Sequence, residues 1–140
     1  MKDKLDSMDH FICQNQANLF LLAQKEGYDI IEFIAGFMNS RFANVEWDAP
    51  NTYCQTATPE YNLVDCIEEF DPPKSDVCFD EPSVDWIGYM YRYIQIRLGI
   101  HSKEILQVLP VRNMLIWYEG MHTLSEEYFI EDVVKEKLAS

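Results

Sequence analysis

The chain has 140 residues, of which 48% are hydrophobic and 14% aromatic, a length and composition that suit one folded domain and exclude a disordered chain. It carries 11 Lys and Arg against 24 Asp and Glu, a formal net charge of −13. Because nucleic-acid affinity rests mainly on Lys and Arg contacts with phosphate, this charge argues against direct binding to DNA or RNA.

The sequence also predicts where the protein is located and whether its cysteines are oxidised. The sequence holds no apolar run long enough to cross a bilayer, so we expect no membrane association. The N-terminal residues MKDKLDSMDH carry acids and lack the apolar centre of a secretory signal, which favours a cytoplasmic protein. In that reducing compartment the cysteines are expected to be free thiols, since they form no CxxC pair and have no nearby histidine. We predict no metal and no cofactor.

The first half of the chain has the pattern of three helices. Residues 1–8 are polar and expected to fray, and residues 9–26 place apolar side chains at helical spacing until Gly27 ends the pattern. Asp29 opens a second helix with the spacing of a capping box. Thr58, with a proline directly after it, predicts the start of a third.

Two irregular segments interrupt these helices. In the long loop before the third helix, Trp47 and Tyr53 are expected to pack onto the core. Residues 71–82, DPPKSDVCFDEP, contain three prolines and read as a semi-extended linker. Val77 and Phe79 are its expected anchors.

The second half has stronger boundary signals. Ser83 is expected to cap a helix that Gly99 ends, and Ser102 is expected to cap the next one. Pro110 removes a hydrogen bond within that next pattern, which predicts a kink or a break. Ser125 is expected to cap the last helix.

One side of the helix that begins near residue 83 carries an aromatic stripe. Trp86, Tyr89, Tyr93 and Arg97 recur at helical spacing, and Trp, Tyr and Arg are the residues that most often anchor protein interfaces. The stripe is therefore a candidate partner-binding face. The alternative is that it packs against the first half as core.

Acidic residues cluster around the linker. Residues 65–85 contain eight acids opposed only by Lys74. Clustered charge of one sign steers association with a surface of the opposite sign, although a solvated linker would look the same. The acids predicted to bind a basic partner are Glu68, Glu69, Asp71, Asp76, Asp80, Glu81 and Asp85.

The two halves share their helix boundaries. Aligning Gly27 with Gly99 brings apolar helical positions into register, and aligning Thr58 with Ser125 does the same for the last helix of each half. We interpret this as a duplicated three-helix unit. The alternative is that any two helical stretches align this well once gaps are allowed.

These patterns predict an all-α fold. We expect a compact bundle of about six helices forming a single domain over residues 1–140. Its two units would span residues 9–70 and 83–138, joined by the acidic linker 71–82. No alternating strand pattern of convincing length occurs.

No common catalytic signature is present. Phosphate-binding, dinucleotide-binding, hydrolase and zinc motifs are all missing from the sequence. The most notable polar group near the predicted core is Arg92, Tyr118 and His122. Tyr118 and His122 lie one helical turn apart, so they are expected to form a buried hydrogen-bonded pair, either structural or used in recognition.

The second half also carries a pattern of aromatic and helix-boundary positions found in a known family. These positions are Trp86, Tyr89, Tyr91, Arg92, Tyr93, Gly99, Lys103, Glu104, Ile105, Tyr118, Met121, His122, Thr123, Leu124, Ile130, Glu131 and Asp132. Over residues 84–138 the chain resembles small helical bacterial proteins of unknown function that are encoded beside ADP-ribosyltransferase-like, toxin-like genes. The resemblance implies a genetic neighbourhood and no active site.

Three functional hypotheses follow. The first is a non-catalytic acidic interaction protein, the antitoxin or regulator of a neighbouring toxin-like enzyme, which it would inhibit by covering a basic surface. The second is an acidic mimic of nucleic acid, of the phage-encoded type, that inhibits a DNA- or RNA-binding protein. The third is an enzyme using Tyr118, His122 or a cysteine, which requires a pocket with converging polar groups. The pattern indicates no oligomeric state.

Overall fold

The all-α prediction is confirmed. The computed structural model describes residues 2–140, and over these residues it is compact and 73% helical, with no strands. The helices are α1 Ser7–Lys25, α2 Ile30–Asn39, α3 Pro59–Phe70, α4 Glu81–Leu98, α5 Ser102–Val108, α6 Val111–Met121, α7 Glu126–Phe129 and α8 Lys135–Ala139. Two π-helical segments, Phe42–Trp47 and Ile130–Val134, and a 3₁₀ turn, Tyr53–Gln55, complete the regular structure.

The helix count exceeds the expected six for two local reasons. Pro110 separates α5 from α6, as predicted, because it cannot continue the helical hydrogen bonding. The segment Ile130–Val134 widens into a π-helical turn, so the last predicted helix appears as α7 and α8 on either side of it.

Most of the predicted helix boundaries are confirmed. Gly27 and Gly99 have φ angles of 90° and 69°, the left-handed region in which glycine avoids a Cβ clash. Thr58 and Ser125 each accept a hydrogen bond from the backbone N–H three residues ahead. Short-range chemistry therefore sets these ends.

Two predicted caps are wrong. Helix α4 begins earlier, with Asp80 as its N-cap residue, and the Ser83 hydroxyl donates to the Asp80 carbonyl from inside the first turn. Helix α5 has His101 at its N-cap position, and Ser102 is its first residue. The backbone N–H of Ser102 donates instead to Asp48, from a distant loop, at 2.8 Å.

The expected fraying at the N-terminus is wrong for the residues described; residue 1 lies outside them. Leu5 is buried, and the backbone N–H of Lys2 donates to the carbonyl of Arg97 at 3.1 Å. Asp6 and Asp9 form a reciprocal capping box at the start of α1. This segment is therefore held against the end of α4.

The centre of the fold is the antiparallel pair α1 and α4. As α1 advances from His10 to Gln24, its contacts move back along α4 from Tyr89 to Phe79, just before the helix. Gly88 permits the closest approach, since a Cβ added there would lie 2.6 Å from the Cα of Ala17. Phenylalanines of α1 and α2 then pack edge to face beside this crossing, as Phe20, Phe33 and Phe37.

The loop before α3 follows the prediction only in part. Trp47 is fully buried against Phe37 and Phe42, as expected. Tyr53 is 70% exposed, so its predicted burial is wrong, because it packs edge-on against Tyr61 at the surface.

The linker 71–82 is pinned to the first half. The Asp29 N–H donates to the Pro73 carbonyl at 2.8 Å, and the Ser75 N–H donates to the Gly27 carbonyl at 3.0 Å. Phe79 is half-buried and exchanges hydrogen bonds with the Gln24 side chain, as its expected anchoring role requires. Val77 is 62% exposed and anchors nothing.

Candidate functional site

A groove of about 390 Å³ opens between the start of α4, the end of α6 and the start of α7. We call it the α4/α6 groove. The residues of interest on its walls are Asp85, Trp86, Tyr89, Tyr118, His122 and Glu126. The structure therefore brings together four aromatic or imidazole side chains that the sequence singled out, along with one acid of the predicted acidic cluster.

The aromatic wall is held by ring contacts. Trp86 meets Tyr118 and Phe129 edge to face, with ring centroids 5.9 and 5.2 Å apart. Tyr118 and His122 stack with centroids 4.3 Å apart. Rings fixed by several neighbours lose little freedom when a ligand binds, which favours recognition.

The expectation of a buried Tyr118–His122 hydrogen bond is wrong. His122 is exposed, and its Nδ1 donates to the backbone carbonyl of Tyr118 at 2.6 Å. The residues lie at the end of α6, where the last carbonyls have no partner within the helix. The imidazole satisfies one of them and stacks on the phenol.

The groove is negatively charged. Asp85 accepts a hydrogen bond from the neutral Nε2 of Gln14 at 2.8 Å, and Glu126 lies in the first turn of α7. Burial, followed by nearby acidic groups that include Glu126 and Asp85, raises the pKa of the Tyr89 phenol above its ordinary value. Both carboxylates therefore contribute to the raised pKa of Tyr89, which lines the groove.

The predicted aromatic stripe divides at its middle. Trp86 and Tyr89 face the groove, whereas Tyr93 and Arg97 are buried. Glu127 accepts hydrogen bonds from the Tyr93 hydroxyl at 2.9 Å and from Arg97 Nε at 3.0 Å. The second pair therefore joins α4 to α7 and does not lie open to a partner.

His10 extends the open part of the stripe. Its ring stacks near Tyr89, with centroids 6.1 Å apart, and its Nδ1 makes a short contact with the Tyr89 hydroxyl. A helical residue of α1 thus fixes the Tyr89 ring from outside the groove.

Arg92 does not join Tyr118 and His122, so its expected place in that group is wrong. It is buried between α1 and α5, where Nε donates to Gln16 at 2.7 Å and Nη1 donates to Asp48 at 2.7 Å. Nη2 reaches the Ser102 hydroxyl at 3.3 Å, and the guanidinium lies over the Trp47 ring. This is a structural network.

Sequence reasoning missed Asp48 as the partner of Arg92. A signal was available, because an arginine inside an apolar helix is buried only with a counter-charge, and Asp48 directly follows the predicted buried Trp47. Local periodicity alone does not connect residues this far apart.

The predicted acidic cluster runs along the surface from the end of α3 to the start of α4. Both carboxylate oxygens of Glu69 accept backbone N–H groups, from Arg41 at 2.6 Å and from Phe42 at 2.9 Å, so this acid also caps the first π-helical segment. Asp80 and Glu81 lie at the positive end of the α4 dipole. The other exposed members are Glu68, Asp71 and Asp76.

A second cavity, of about 620 Å³, lies between the N-terminal segment, the loop after Trp47 and the end of α4. Its acids already have cationic partners. Lys2 Nζ lies 2.7 Å from Asp9 and 3.5 Å from Asp6, and Asp48 is paired with Arg92. The groove at α4 and α6 is therefore the better candidate for binding a charged ligand.

The cysteines are free thiols. Burial raises the pKa of the Cys13 thiol to about 12 and also raises that of Cys66. Among residues 2–140, no group of three or more His, Cys, Asp or Glu is arranged to hold a metal ion. None of the helices in that range is both long and apolar enough to span a membrane.

No protein-family model, curated protein or solved structure matches this chain. The resemblance of residues 84–138 to small helical proteins encoded beside toxin-like genes stays a prediction.

Proposed function

We propose that this protein is a non-catalytic binding module that holds a basic partner protein against its acidic side. The observation that carries the proposal is that the acidic cluster continues into the groove. We call this cluster the acidic surface; its residues are Glu68, Glu69, Asp71, Asp76, Asp80, Glu81 and Asp85. Asp80 and Glu81 begin α4, and Asp85 and Trp86 of the same helix line the groove.

The acidic surface is held in place by hydrogen bonds. Pro73 and Ser75 bond to the backbone beside Gly27, and Lys74 places its ammonium 4.0 Å from the centre of the Tyr28 ring. The carboxylates of the linker are therefore displayed on an ordered backbone, so a partner loses less entropy in ordering them.

Each part of this surface has its own physical role. A field from clustered acids accelerates encounter with a basic protein and rejects acidic ones. Aromatic side chains such as Trp86 and Tyr89 supply the contact area that holds the complex once it has formed.

The partner that we propose is a toxin-like enzyme encoded next to this protein, which would make the protein an antitoxin that acts in the cytoplasm. A basic substrate-binding face on the enzyme would be covered by the acidic surface. The motivation is the resemblance of residues 84–138 together with the net charge of −13.

We also propose that the two halves arose by duplication. The alignment that pairs Gly27 with Gly99 also pairs Gln16 with Gly88, and Gln16 Nε2 donates to the Gly88 carbonyl at 2.9 Å. Equivalent positions of two antiparallel helices meet in this way at a twofold axis. A backbone superposition of residues 9–70 on 83–138 tests the idea, and a fit no better than that of unrelated helix trios would contradict it.

Co-purification with the product of the adjacent gene tests whether the two proteins bind, and their association rate tests which surface they use. We compare the wild-type protein with a variant in which Asp71, Asp76 and Asp80 become Asn and Glu81 becomes Gln. Asn also suits the left-handed φ of 41° at residue 71. The association rate of this variant is expected to fall by about tenfold or more at low salt.

The matched control variant neutralises four exposed acids elsewhere: Glu46, Glu104, Asp132 and Glu136. It changes the net charge equally, so it should keep most of the association rate if the acidic surface is the docking site. Equal losses in both variants, or no binding by the wild-type protein at low salt, would contradict the proposal.

The nucleic-acid mimic remains the second proposal, because most of the 24 acids lie outside the linker region. A mimic and a nucleic acid compete for one site on the partner. Displacement of the partner by a DNA or RNA oligonucleotide, with the same dependence on the acidic surface, would support the mimic over the antitoxin.

A further inference from the structure

We propose that the α4/α6 groove is a socket for one arginine side chain of the basic partner. The inference rests on the proposed function and makes it more specific. It follows from the juxtaposition of two carboxylates, Asp85 and Glu126, with the rings of Trp86, Tyr89 and Tyr118 around one cavity.

The carboxylates of the groove differ in charge balance from other acids of the fold. Three other acids of the fold have internal cations: Asp9 pairs with Lys2, Asp48 with Arg92 and Glu127 with Arg97. Asp85 and Glu126 differ, because no Lys, Arg or His among residues 2–140 forms an ion pair with either of them.

The contrast is clearest between the neighbouring residues Glu126 and Glu127. Glu127 turns toward Arg97 and Tyr93 and is neutralised there, whereas Glu126 lines the groove. Within residues 2–140, the one side-chain hydrogen bond that Asp85 accepts comes from the neutral amide of Gln14. The groove therefore has two negative charges at partly buried positions, and an external cation would balance them.

The walls of the groove suit a flat cation better than a compact one. Trp86, Tyr89 and Tyr118 offer aromatic surface, on which a flat guanidinium stacks better than a compact ammonium. Five N–H donors in one plane also allow a guanidinium to bond to more than one carboxylate, here Asp85 and Glu126. A lysine ammonium is more strongly hydrated and gains less from the rings.

The aromatic walls of the groove are held in place by neighbouring rings. Trp86 is held by Phe129 and Tyr118, Tyr118 by His122, and Tyr89 by His10. These neighbours fix the aromatic surface before the ligand arrives, so binding costs little additional ordering of the walls.

The socket can be tested without the partner. The probe is acetyl-arginine methylamide, added to 15N-labelled protein while the three tryptophan indole N–H signals are followed by NMR; Trp86→Phe assigns the signal of interest. We expect a saturable shift of the Trp86 signal. The corresponding citrulline amide has the same shape without charge and should produce none.

Two variants then test the carboxylates. Asp85→Asn and Glu126→Gln should each weaken arginine binding by about tenfold, the loss expected when one charged hydrogen bond becomes neutral. The double variant Glu104→Gln/Glu136→Gln is the control, since it removes two exposed acids that, like Glu126, lie in first helical turns. It should leave the titration unchanged.

The results separate the two proposals. Arginine binding without any capture of the basic partner would keep the socket and contradict the proposed function. Partner binding that is unaffected by Asp85→Asn and Glu126→Gln, with no shift of Trp86, would keep the function and overturn the socket. An equal response to acetyl-lysine methylamide would also overturn it, because the site would then recognise charge alone.

Discussion

Arg92 on α4 and Asp48 in the loop after the first π-helical segment form an ion pair of 2.7 Å, with 1% and 2% of their side chains exposed. Asp48 also accepts both the N–H and the hydroxyl of Ser102, at 2.8 and 2.6 Å. Through Gln16 the same network reaches α1. One acid and one base therefore fix the relative positions of α1, α4, α5 and the loop.

The first prediction is that Arg92→Met destabilises the protein by about 3–5 kcal/mol, because Asp48 is left buried without its counter-charge. Urea unfolding followed by circular dichroism measures the change. Arg112→Met, at an exposed position on α6, is the control and should change the stability by less than about 0.5 kcal/mol.

A double variant distinguishes loss of the pair from loss of packing. Arg92→Met combined with Asp48→Leu should be less destabilised than the sum of the two single changes, since no unpaired charge remains. Strict additivity would mean that the ion pair contributes nothing as a pair.

The second prediction concerns the α1/α4 crossing. In Gly88→Ala the new methyl group would lie 2.6 Å from the Cα of Ala17 and 3.0 Å from Cδ2 of Phe20. Because backbone cannot move aside as a flexible side chain does, the free energy of unfolding should fall by about 1–3 kcal/mol. Thermal and urea unfolding measure it.

Gly120→Ala is the matched control, since a Cβ at this helical glycine would meet no atom within 4 Å. There the change should stabilise the protein by about 0.5–1 kcal/mol, as alanine loses less backbone entropy than glycine. Stabilisation by both substitutions would contradict the close approach of α1 and α4.

The third prediction concerns alkaline pH. Burial raises the pKa of the Tyr91 phenol, whose hydroxyl donates to the Leu109 carbonyl at 2.5 Å. Below about pH 10 both the native and the unfolded chain keep the proton, so the full stability is present. Above it the unfolded phenol loses its proton first, and the free energy of unfolding falls as the pH rises.

Urea unfolding between about pH 8 and 11 measures this slope. Tyr91→Phe should reduce the alkaline slope by up to about 1.4 kcal/mol per pH unit, because one group no longer titrates. Tyr53→Phe removes an exposed phenol and should leave the slope unchanged. An unchanged slope in Tyr91→Phe would argue against its burial.

The fourth prediction concerns the thiols. Cys78 is exposed in the linker, whereas Cys13, Cys54 and Cys66 are buried and have raised pKa values caused mainly by burial. Native protein should therefore react rapidly with a thiol reagent such as DTNB at one cysteine.

Denaturant should expose all four thiols, and Cys78→Ser should remove the rapid phase. A second rapid equivalent in native protein would contradict the burial of one of the other three thiols.

The groove was accessible to sequence reasoning only as separate parts. Trp86 and Tyr89 follow from helical spacing, as does the pair Tyr118 and His122, but their meeting depends on how α4 packs against α6. Helical spacing predicts that the aromatic stripe forms one face, yet Tyr93 and Arg97 are buried because Glu127 of another helix binds them. Helical patterns do not distinguish Glu126 from the other acids; only the packing places it in the groove, without an ion pair among residues 2–140.

The sequence by itself determined the all-α class and most helix ends, including those at Gly27, Thr58, Gly99 and Ser125. Those ends depend on φ preferences and on hydrogen bonds to residues a few positions away. Only the tertiary structure decided which charges are neutralised within the chain. Each neutralised acid is far from its cation in sequence, as with Asp48 and Arg92 or Glu127 and Arg97. Helical periodicity carries no information about the distance between such residues.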